Sequence, residues 1–298
     1  MARPEGRGGA VPPSGSDPAR ECAEMARCLR RWVIERSLAA GVGHVGSALS
    51  IVDLVAAMWA TMRGAGTDDP ARDRFILAKG HAALALYGAL RFKGLLGQEQ
   101  FETYCGEGSL LGAHPEHELP GVDLSTGSLG QGLSVGCGLA WGHRAGLPAG
   151  RRAIAPRVFV LMSDAECDEG QVWEAAMFAG HHRLGGLCAV VDANGTQALG
   201  LKNEVVTVPS LAAAWQAFGW EALEVDGHDH AALLNALAAP AAAAGEAAAG
   251  QDAPPRVIIA RTIMGRGVSF MAGRVDWHYR NLTPELAEAA LRELEALP

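Results

Sequence analysis

Short apolar runs recur along the chain and are separated by longer stretches with helical periodicity. Each run is bounded by turn-forming or charged residues, which is typical of strands in a sheet that is covered on both faces. The predicted strands are Arg74–Ala78, Val158–Met162, Leu187–Val191, Trp220–Val225 and Val257–Ala260.

The stretches between these runs predict helices. A helix is expected from about Asp17 to Ala40, and Ser47 is expected to cap a second helix that continues to Met62. Pro284 in a first turn indicates the start of a C-terminal helix. The other predicted helices are Ala82–Arg91, Leu129–Arg144, Leu211–Phe218 and Ala231–Ala239. Because strands alternate with helices, we predict an α/β fold: a doubly wound, mainly parallel sheet with helices on both faces.

Composition divides the chain into one folded region and two low-complexity segments. Residues 1–17 are rich in Gly, Pro and Ser and are expected to be a disordered tail. Residues 18–298 are expected to form one domain, with an Ala/Gly/Pro-rich linker at 240–255. Glycine recurs along the helix Leu129–Arg144, which predicts that its backbone packs very closely against its neighbours. Two long loops, Cys105–Gly127 and Thr262–Asn281, are expected to be functional.

Charge and composition exclude several classes of function. The formal net charge of −8 argues against a nucleic-acid partner that is held through its phosphates. The sequence has no apolar run long enough for a membrane span and no apolar core of a signal peptide. The 6 cysteines are scattered without a Cys-x-x-Cys pair, which predicts reduced thiols in the cytoplasm.

The first candidate site follows two of the predicted strands. Asp164 comes directly after one strand, and Asn194 comes shortly after the next. Ligands of open parallel sheets bind at the carboxyl ends of the strands, and Mg²⁺ takes oxygen ligands together with phosphates. The sequence therefore predicts a metal-bound diphosphate, although an ordinary strand–helix–strand unit with polar strand ends is the alternative. The spacing also resembles the thiamine diphosphate signature, with Ser163-Asp164-Ala165 in place of Gly-Asp-Gly.

Four histidines lie in or beside breaks between predicted elements, namely His44, His81, His114 and His278. Each one alone is more often structural, but together they favour a site, because histidines can move protons or hold a diphosphate. The other histidines, including His228 and His230, are expected to be solvated or capping groups. None of the ten has the spacing of zinc ligands.

Several motifs in one order give a more specific resemblance. They are Ala40–Gly46, Phe75–Ala82, His114-Pro115-Glu116, Leu119–Val122, Thr126–Gly132, the Asp164–Asn194 pair, and Gly265–Phe270 leading to Trp277-His278. Over about residues 20–290, the chain resembles the N-terminal, diphosphate-binding half of a transketolase.

The resemblance implies a thiamine diphosphate site with Mg²⁺, or with Ca²⁺ or Mn²⁺ in its place. Asp164 and Asn194 would bind the metal through their side chains, and Thr196 through its carbonyl oxygen. His81 and the backbone of Ala165 would contact the diphosphate. The remaining cofactor contacts would come from Gly127, Ser128 and Leu129. The backbone atoms of Gly127 and Leu129 would contact the aminopyrimidine side of the cofactor.

The same resemblance implies roles around the sugar and at an interface. His44, His114 and His278 would face the hydroxyls of the donor sugar. Glu169 would link two cofactor sites across an interface, although an acid in the first turn of a helix explains it equally well. Tyr279 departs from the family's Gly-rich continuation after the last histidine, so the resemblance does not define the acceptor side of the sugar pocket.

The resemblance also implies a partner, because in this family the activating glutamate and the aromatic bed for the pyrimidine lie on a second domain. We therefore expect the N-terminal subunit of a split transketolase. It would transfer a two-carbon ketol unit from a ketose phosphate to an aldose. It would be active only with a C-terminal subunit that carries the pyrimidine-binding domain, and the two subunits would form an α₂β₂ assembly. The alternatives are a ketol or acyl transferase subunit of secondary metabolism, a subunit like the E1 component of 2-oxoacid dehydrogenases or like 1-deoxyxylulose phosphate synthase, and a non-catalytic regulatory subunit.

Overall fold

A five-stranded sheet forms the centre of the fold in the computed structural model, which describes residues 17–146, 155–238 and 253–296. Its strands are β1 (Arg74–Leu77), β2 (Val158–Ser163), β3 (Leu187–Ala193), β6 (Glu221–Asp226) and β7 (Arg256–Arg261). All neighbouring strands in the sheet are parallel, and their spatial order is β1-β2-β3-β7-β6. A small antiparallel hairpin is formed by β4 (Thr196–Gln197) and β5 (Gly200–Leu201).

Helices connect the strands of the sheet. They are α1 (Pro18–Ala40), α2 (Val45–Ser50), α3 (Val52–Thr61), α4 (Ala83–Phe92), α5 (Gln98–Glu102), α6 (Gln131–Ala145), α7 (Gly170–His181), α8 (Lys202–Val205), α9 (Leu211–Ala217), α10 (His230–Leu237) and α11 (Pro284–Glu295). Short 3₁₀ segments lie at Gly80–Ala82, Glu166–Asp168 and Val275–His278.

Alternate residues of the strands face two separate hydrophobic cores. Along β2, Phe159 and Leu161 belong to the core formed with α1, α3, α4, α10 and α11. Val158, Val160 and Met162 belong to the opposite core, formed with α6, α7 and α9. The sheet is therefore covered by helices on both faces, which confirms the predicted fold class.

The small residues of α6 allow the close contact that the sequence predicts. A Cβ atom at Gly132 would lie 2.5 Å from the Cβ of Ala78, and one at Gly136 would lie 2.6 Å from Cγ2 of Val160. Both distances are far below van der Waals contact, so these two positions require glycine. Gly138 is different, because among the described residues nothing lies within 4 Å of a Cβ built there.

Two helix starts differ from the prediction. Ser47 is not a helix cap: it is buried inside α2, which begins two residues earlier, after His44. His44 has a left-handed backbone with φ of 65°, and its N–H donates to the carbonyl of His278 at 3.1 Å. Likewise α6 begins at Gln131 instead of Leu129, because Gly130 has a φ of 89°. Long-range backbone contacts therefore set boundaries that local sequence does not show.

The predicted second helix is also divided in two. Ile51, with φ of −99° and ψ of 1°, separates α2 from α3. The prediction that histidines outside the candidate site are solvated or capping groups is wrong for His228, whose side chain is 8% exposed and pairs with a buried carboxylate. His228 and His230 both bond to the buried carboxylate of Asp53, at 2.7 and 2.8 Å.

Two predictions concern residues that are mostly outside the described part of the chain. They are the tail at 1–17, of which only Asp17 is described, and the linker at 240–255, of which 253–255 are described. Within the described ranges, no helix combines the length and the apolar character needed to cross a bilayer.

Candidate functional site

A cavity of about 510 Å³ opens at the carboxyl ends of β1, β2 and β3. Most of the residues that the sequence singles out line it: His44, His81, His114, Gly127, Leu129, Ala165, Glu169, Asn194, Thr196 and His278. Asp164 lies directly behind this lining, between Ser163 and Ala165, which both contribute to it. Ser128 instead lines a smaller adjoining depression.

Asp164 and Asn194 converge because their strands are neighbours in register. Ser163 at the end of β2 pairs with Asp192 near the end of β3. The turn after each strand therefore begins at the same edge, and Asp164 Oδ2 accepts a bond from the N–H of Gly195 at 3.0 Å. The side-chain oxygen of Asn194 accepts from the N–H of Thr196 at 2.9 Å.

The carboxyl group of Asp164 lies in an environment that disfavours its charge. Its side chain is buried, and the two backbone N–H groups of Ala165 and Gly195 donate to its two oxygens. Burial, followed by the negative charge of Asp192, raises the pKa of Asp164 to about 6. The bonds and nearby lysines oppose this effect but do not cancel it.

Beneath the cavity lies an ion pair that the sequence analysis missed. Lys79 Nζ is 2.5 Å from Asp192 Oδ2, and the side chains are 1% and 0% exposed. Lys79 also lines the cavity. The available signal was a lysine that directly follows a buried strand, where a charge needs a partner.

Three of the four histidines form a cluster on one wall. Ring centroids are 5.3 Å apart for His44 and His81, 5.3 Å for His44 and His278, and 5.1 Å for His81 and His278. His114 lies apart from these rings, next to Gly127, where a Cβ atom would lie 3.3 Å from its Cδ2.

The imidazoles of the cluster favour the neutral form. Burial, helped by the neighbouring histidine and the charge of Lys79, lowers the pKa of His278 to about 4. Burial is also the largest cause of the lowered pKa of His44 and of His81, which falls well below its usual range. The His44 Nδ1 atom is buried without a hydrogen-bond partner in the described structure. Neutral imidazoles can accept protons, so the cluster is suited to proton transfer.

Glu166 is a second group that the sequence analysis missed. Its Oε1 accepts from the N–H of Gly130 at 2.8 Å, while its Oε2 is buried with no partner among the described residues. Burial raises the pKa of Glu166 to about 7. By contrast Glu169, which the sequence did indicate, is exposed at the rim of the cavity, at the residue before α7.

The oxygen ligands at this site fit a cation that is coordinated partly by the protein and partly by a diphosphate. Within the described ranges, no group of three or more His, Cys, Asp or Glu could hold a metal alone. Asp164 and Asn194 offer two oxygens, and Mg²⁺ commonly takes its other ligands from phosphates and water. The raised pKa of Asp164 marks a buried carboxylate without sufficient positive charge nearby, which a bound cation would supply.

Comparison with known proteins places these features in a family. Residues 20–294 match the family described as "Transketolase, thiamine diphosphate binding domain". The chain is 34% identical to an apulose-4-phosphate transketolase subunit of Phocaeicola vulgatus, over 89% of this chain and 90% of that protein. It is 36% identical to the 6-deoxy-6-sulfo-D-fructose transketolase subunit SqwG of a Clostridium species, over 91% and 95%.

Solved structures agree with this match. The transketolase of Campylobacter jejuni superposes with a TM-score of 0.79 at 25% identity, covering 93% of this chain. The chain spans 43% of that protein's length, so it corresponds to less than half of a long transketolase.

Proposed function

The chain belongs to the transketolase family and carries its thiamine diphosphate binding domain, and from that premise we propose that it is the diphosphate-binding subunit of a split transketolase. In the proposed reaction, a two-carbon ketol unit passes from a ketose phosphate to an aldose acceptor. Activity requires Mg²⁺ and a second subunit that carries the pyrimidine-binding domain.

The convergence of Asp164 with the turn at Asn194 is the observation that carries this proposal. The bond from Gly195 N–H to Asp164 holds the two turns together at one edge of the sheet. In our proposal Asp164, Asn194 and the carbonyl of Thr196 hold Mg²⁺, which in turn holds the diphosphate. The backbone of Ala165 and the ring of His81 lie in the same cavity and contact the diphosphate.

Other cavity residues hold the organic part of the cofactor and the sugar. Gly127 and Leu129 contact the aminopyrimidine side, with Ser128 between them. Bound thiamine diphosphate supplies the carbanion chemistry that breaks and forms the carbon–carbon bond. His44, His114 and His278 hold the hydroxyl groups of the donor sugar.

The neutral imidazoles also exchange protons with the sugar. The unpartnered Nδ1 of His44 and the ring of His278, each with a lowered pKa, are available as proton acceptors at neutral pH.

The proposed partner covers the mouth of the cavity. Leu199 is 83% exposed and Tyr279 is 63% exposed, and both line the cavity. Large exposed apolar groups at an open site are typical of a surface that another protein covers. Both relatives described above are named as transketolase subunits, and this chain covers nearly all of each. We propose two copies of each subunit, with Glu169 at the interface between the two halves.

A reconstitution experiment tests the proposal. The chain is assayed for ketol transfer by itself and with a candidate partner, and we expect turnover only from the mixture. Asp164→Ala in the mixture should abolish Mg²⁺-dependent cofactor binding in calorimetry, whereas Asp68→Ala, at an exposed carboxylate, should leave it unchanged. Turnover by the isolated chain would refute the split arrangement, and unchanged cofactor affinity of Asp164→Ala would refute the metal site.

The same assay identifies the donor. Tyr279 stands at the cavity mouth, with its ring centroid 5.5 Å from that of His44 and 4.6 Å from that of His278. The donor panel consists of a common ketose phosphate, the two sugars in the names of the relatives, apulose 4-phosphate and 6-deoxy-6-sulfo-D-fructose, and the 2-oxoacid pyruvate. Preference for pyruvate would favour an E1-like subunit instead, and cofactor binding without turnover on any donor would favour a regulatory subunit. We place the assembly in the cytoplasm, because all six cysteines are free thiols.

A further inference from the structure

Asp192 is the hub of a buried hydrogen-bond network under the cavity. Its side chain is fully buried, and its two oxygens divide the donors between them. Oδ1 accepts from the hydroxyls of Ser50, at 2.7 Å, and Thr262. Oδ2 accepts from Lys79 Nζ at 2.5 Å and from Asn194 Nδ2 at 2.9 Å. One carboxylate therefore joins α2, the end of β1, the end of β3 and the residue after β7.

This network determines which way the amide of Asn194 faces. Its Nδ2 donates to Asp192 and, at 3.2 Å, to the hydroxyl oxygen of Ser50. Ser50 can accept that bond because its own proton is given to Asp192. The opposite orientation would place the amide oxygen against a carboxylate and the amide nitrogen against the N–H of Thr196, and both contacts are repulsive.

The two sides of the amide also differ in what they face. Asp192 and Ser50, on the nitrogen side, do not line the cavity, whereas Thr196, on the oxygen side, does. The charge of Asp192 is balanced within the network by Lys79. A neutral hydrophobic residue at 192 would remove the only charged acceptor of the Asn194 amide within the described structure. The N–H of Thr196 and the hydroxyl of Ser50 would be the remaining partners of that amide, so its present orientation would be held less strongly.

We propose that Asp192 is a positioning residue that fixes the side-chain amide of Asn194 with its oxygen toward the cavity. This role rests on the proposed function, in which that oxygen binds a divalent cation. Asp192 itself does not touch the metal: it acts only through Asn194. Partners of this kind orient the ligand of a metal, and their loss commonly weakens metal affinity by roughly 10–100-fold.

Two substitutions of Asp192 separate orientation from charge. Asp192→Asn can still turn its amide oxygen to Lys79 and Asn194, and its NH₂ to the hydroxyls of Ser50 and Thr262, so the orientation persists. Asp192→Leu offers no acceptor. Both variants leave Lys79 without its counter-charge, so a difference between them reports the orientation of the Asn194 amide.

Two measurements are made on the complete chain. Calorimetric titration with Mg²⁺ in the presence of thiamine diphosphate and the partner subunit gives the metal affinity. Nuclear magnetic resonance follows hydrogen exchange of the Asn194 side-chain NH₂, without metal or cofactor. We expect Asp192→Leu to weaken Mg²⁺ binding by roughly 10–100-fold and to lose protection of this NH₂, while Asp192→Asn keeps both near wild type. Thr262→Val, which removes a donor to the opposite oxygen of Asp192, is the matched control and should change neither.

The possible results are distinct. Equal weakening by Asp192→Asn and Asp192→Leu, or unchanged affinity in Asp192→Leu, overturns the positioning role. If Asp192→Leu does not fold, the double variant Lys79→Met/Asp192→Leu removes both buried charges and is compared with Lys79→Met/Asp192→Asn under the same two criteria. A wild-type chain whose NH₂ is protected but which binds no Mg²⁺ with the cofactor, by itself or with the partner subunit, overturns the proposed function, and the metal role with it. An unprotected NH₂ in a chain that does bind overturns this proposal alone.

Discussion

Replacing Asp164 by asparagine should stabilise the metal-free protein while weakening its binding of Mg²⁺ with the cofactor, because the ligand loses its charge. Asp164 is buried with a pKa of about 6, because burial and the charge of Asp192 oppose its ionisation. At neutral pH the folded chain therefore contains a carboxylate whose charge is more costly than in the unfolded chain. Asparagine has nearly the same shape and no charge.

The magnitude follows from two opposing effects. The difference between 3.8 and about 6 corresponds to about 3 kcal/mol of destabilisation by the ionised group. Against this, asparagine can accept from only one of the N–H donors of Ala165 and Gly195, and leaving the other buried N–H unpaired costs about 1–3 kcal/mol. The charge effect is at least as large, so the variant should gain up to about 2 kcal/mol.

The sign depends on pH in a defined way. A carboxyl whose pKa is raised by folding does not lower the free energy of unfolding at pH values below its pKa in the unfolded state. It lowers that free energy progressively as the pH rises through its pKa in the folded state. The gain of Asp164→Asn should thus be complete at about pH 8 and absent below about pH 4. Urea unfolding in a chelator measures this, with Asp68→Asn, an exposed position, as the control that should show no gain at either pH. A variant less stable than wild type at about pH 8 would contradict the electrostatic argument.

Two other substitutions test the packing and the histidine cluster. Gly132→Ala should destabilise the fold by about 1–3 kcal/mol in urea unfolding, because its Cβ would lie 2.5 Å from that of Ala78. Gly138→Ala, where a Cβ meets no neighbour, should stabilise the fold by about 0.5–1 kcal/mol. Equal effects of the two variants would exclude close packing as the cause. Lys79→Met should raise the pKa of His278 above its value of about 4, because it removes a nearby positive charge, and a resonance titration of the ring protons that shows no rise would contradict that assignment.

The strands could be predicted from the sequence because their burial is local information. Val158–Met162 and Leu187–Val191 are apolar throughout, and the structure extends them only to Ser163 and Ala193. A run of this kind is buried in any α/β sheet, so its pattern identifies it without knowledge of its neighbours. The register that brings the polar ends of these two strands together also follows from parallel pairing.

The helix boundaries near the site could not be predicted because distant residues determine them. α2 begins after His44, whose N–H is bonded to His278 more than two hundred positions away. α6 begins after Gly130, whose N–H is bonded to Glu166. Local propensity favoured Ser47 and Leu129 instead, and neither preference survives these tertiary bonds.

The same distinction applies to the chemistry of the site. The sequence indicated Asp164 because it stands at a strand end, but it did not indicate that Asp192 and Glu166 are buried beside it. Of these three carboxylates, Asp192 has a lysine partner, whereas Asp164 and Glu166 have raised pKa values and accept hydrogen bonds from backbone N–H groups. The edge of the sheet thus carries more buried negative charge than the described cations balance. A divalent cation at Asp164 and Asn194 would supply the missing charge, so the electrostatics that make the metal-free site unstable are also those that would hold the metal tightly.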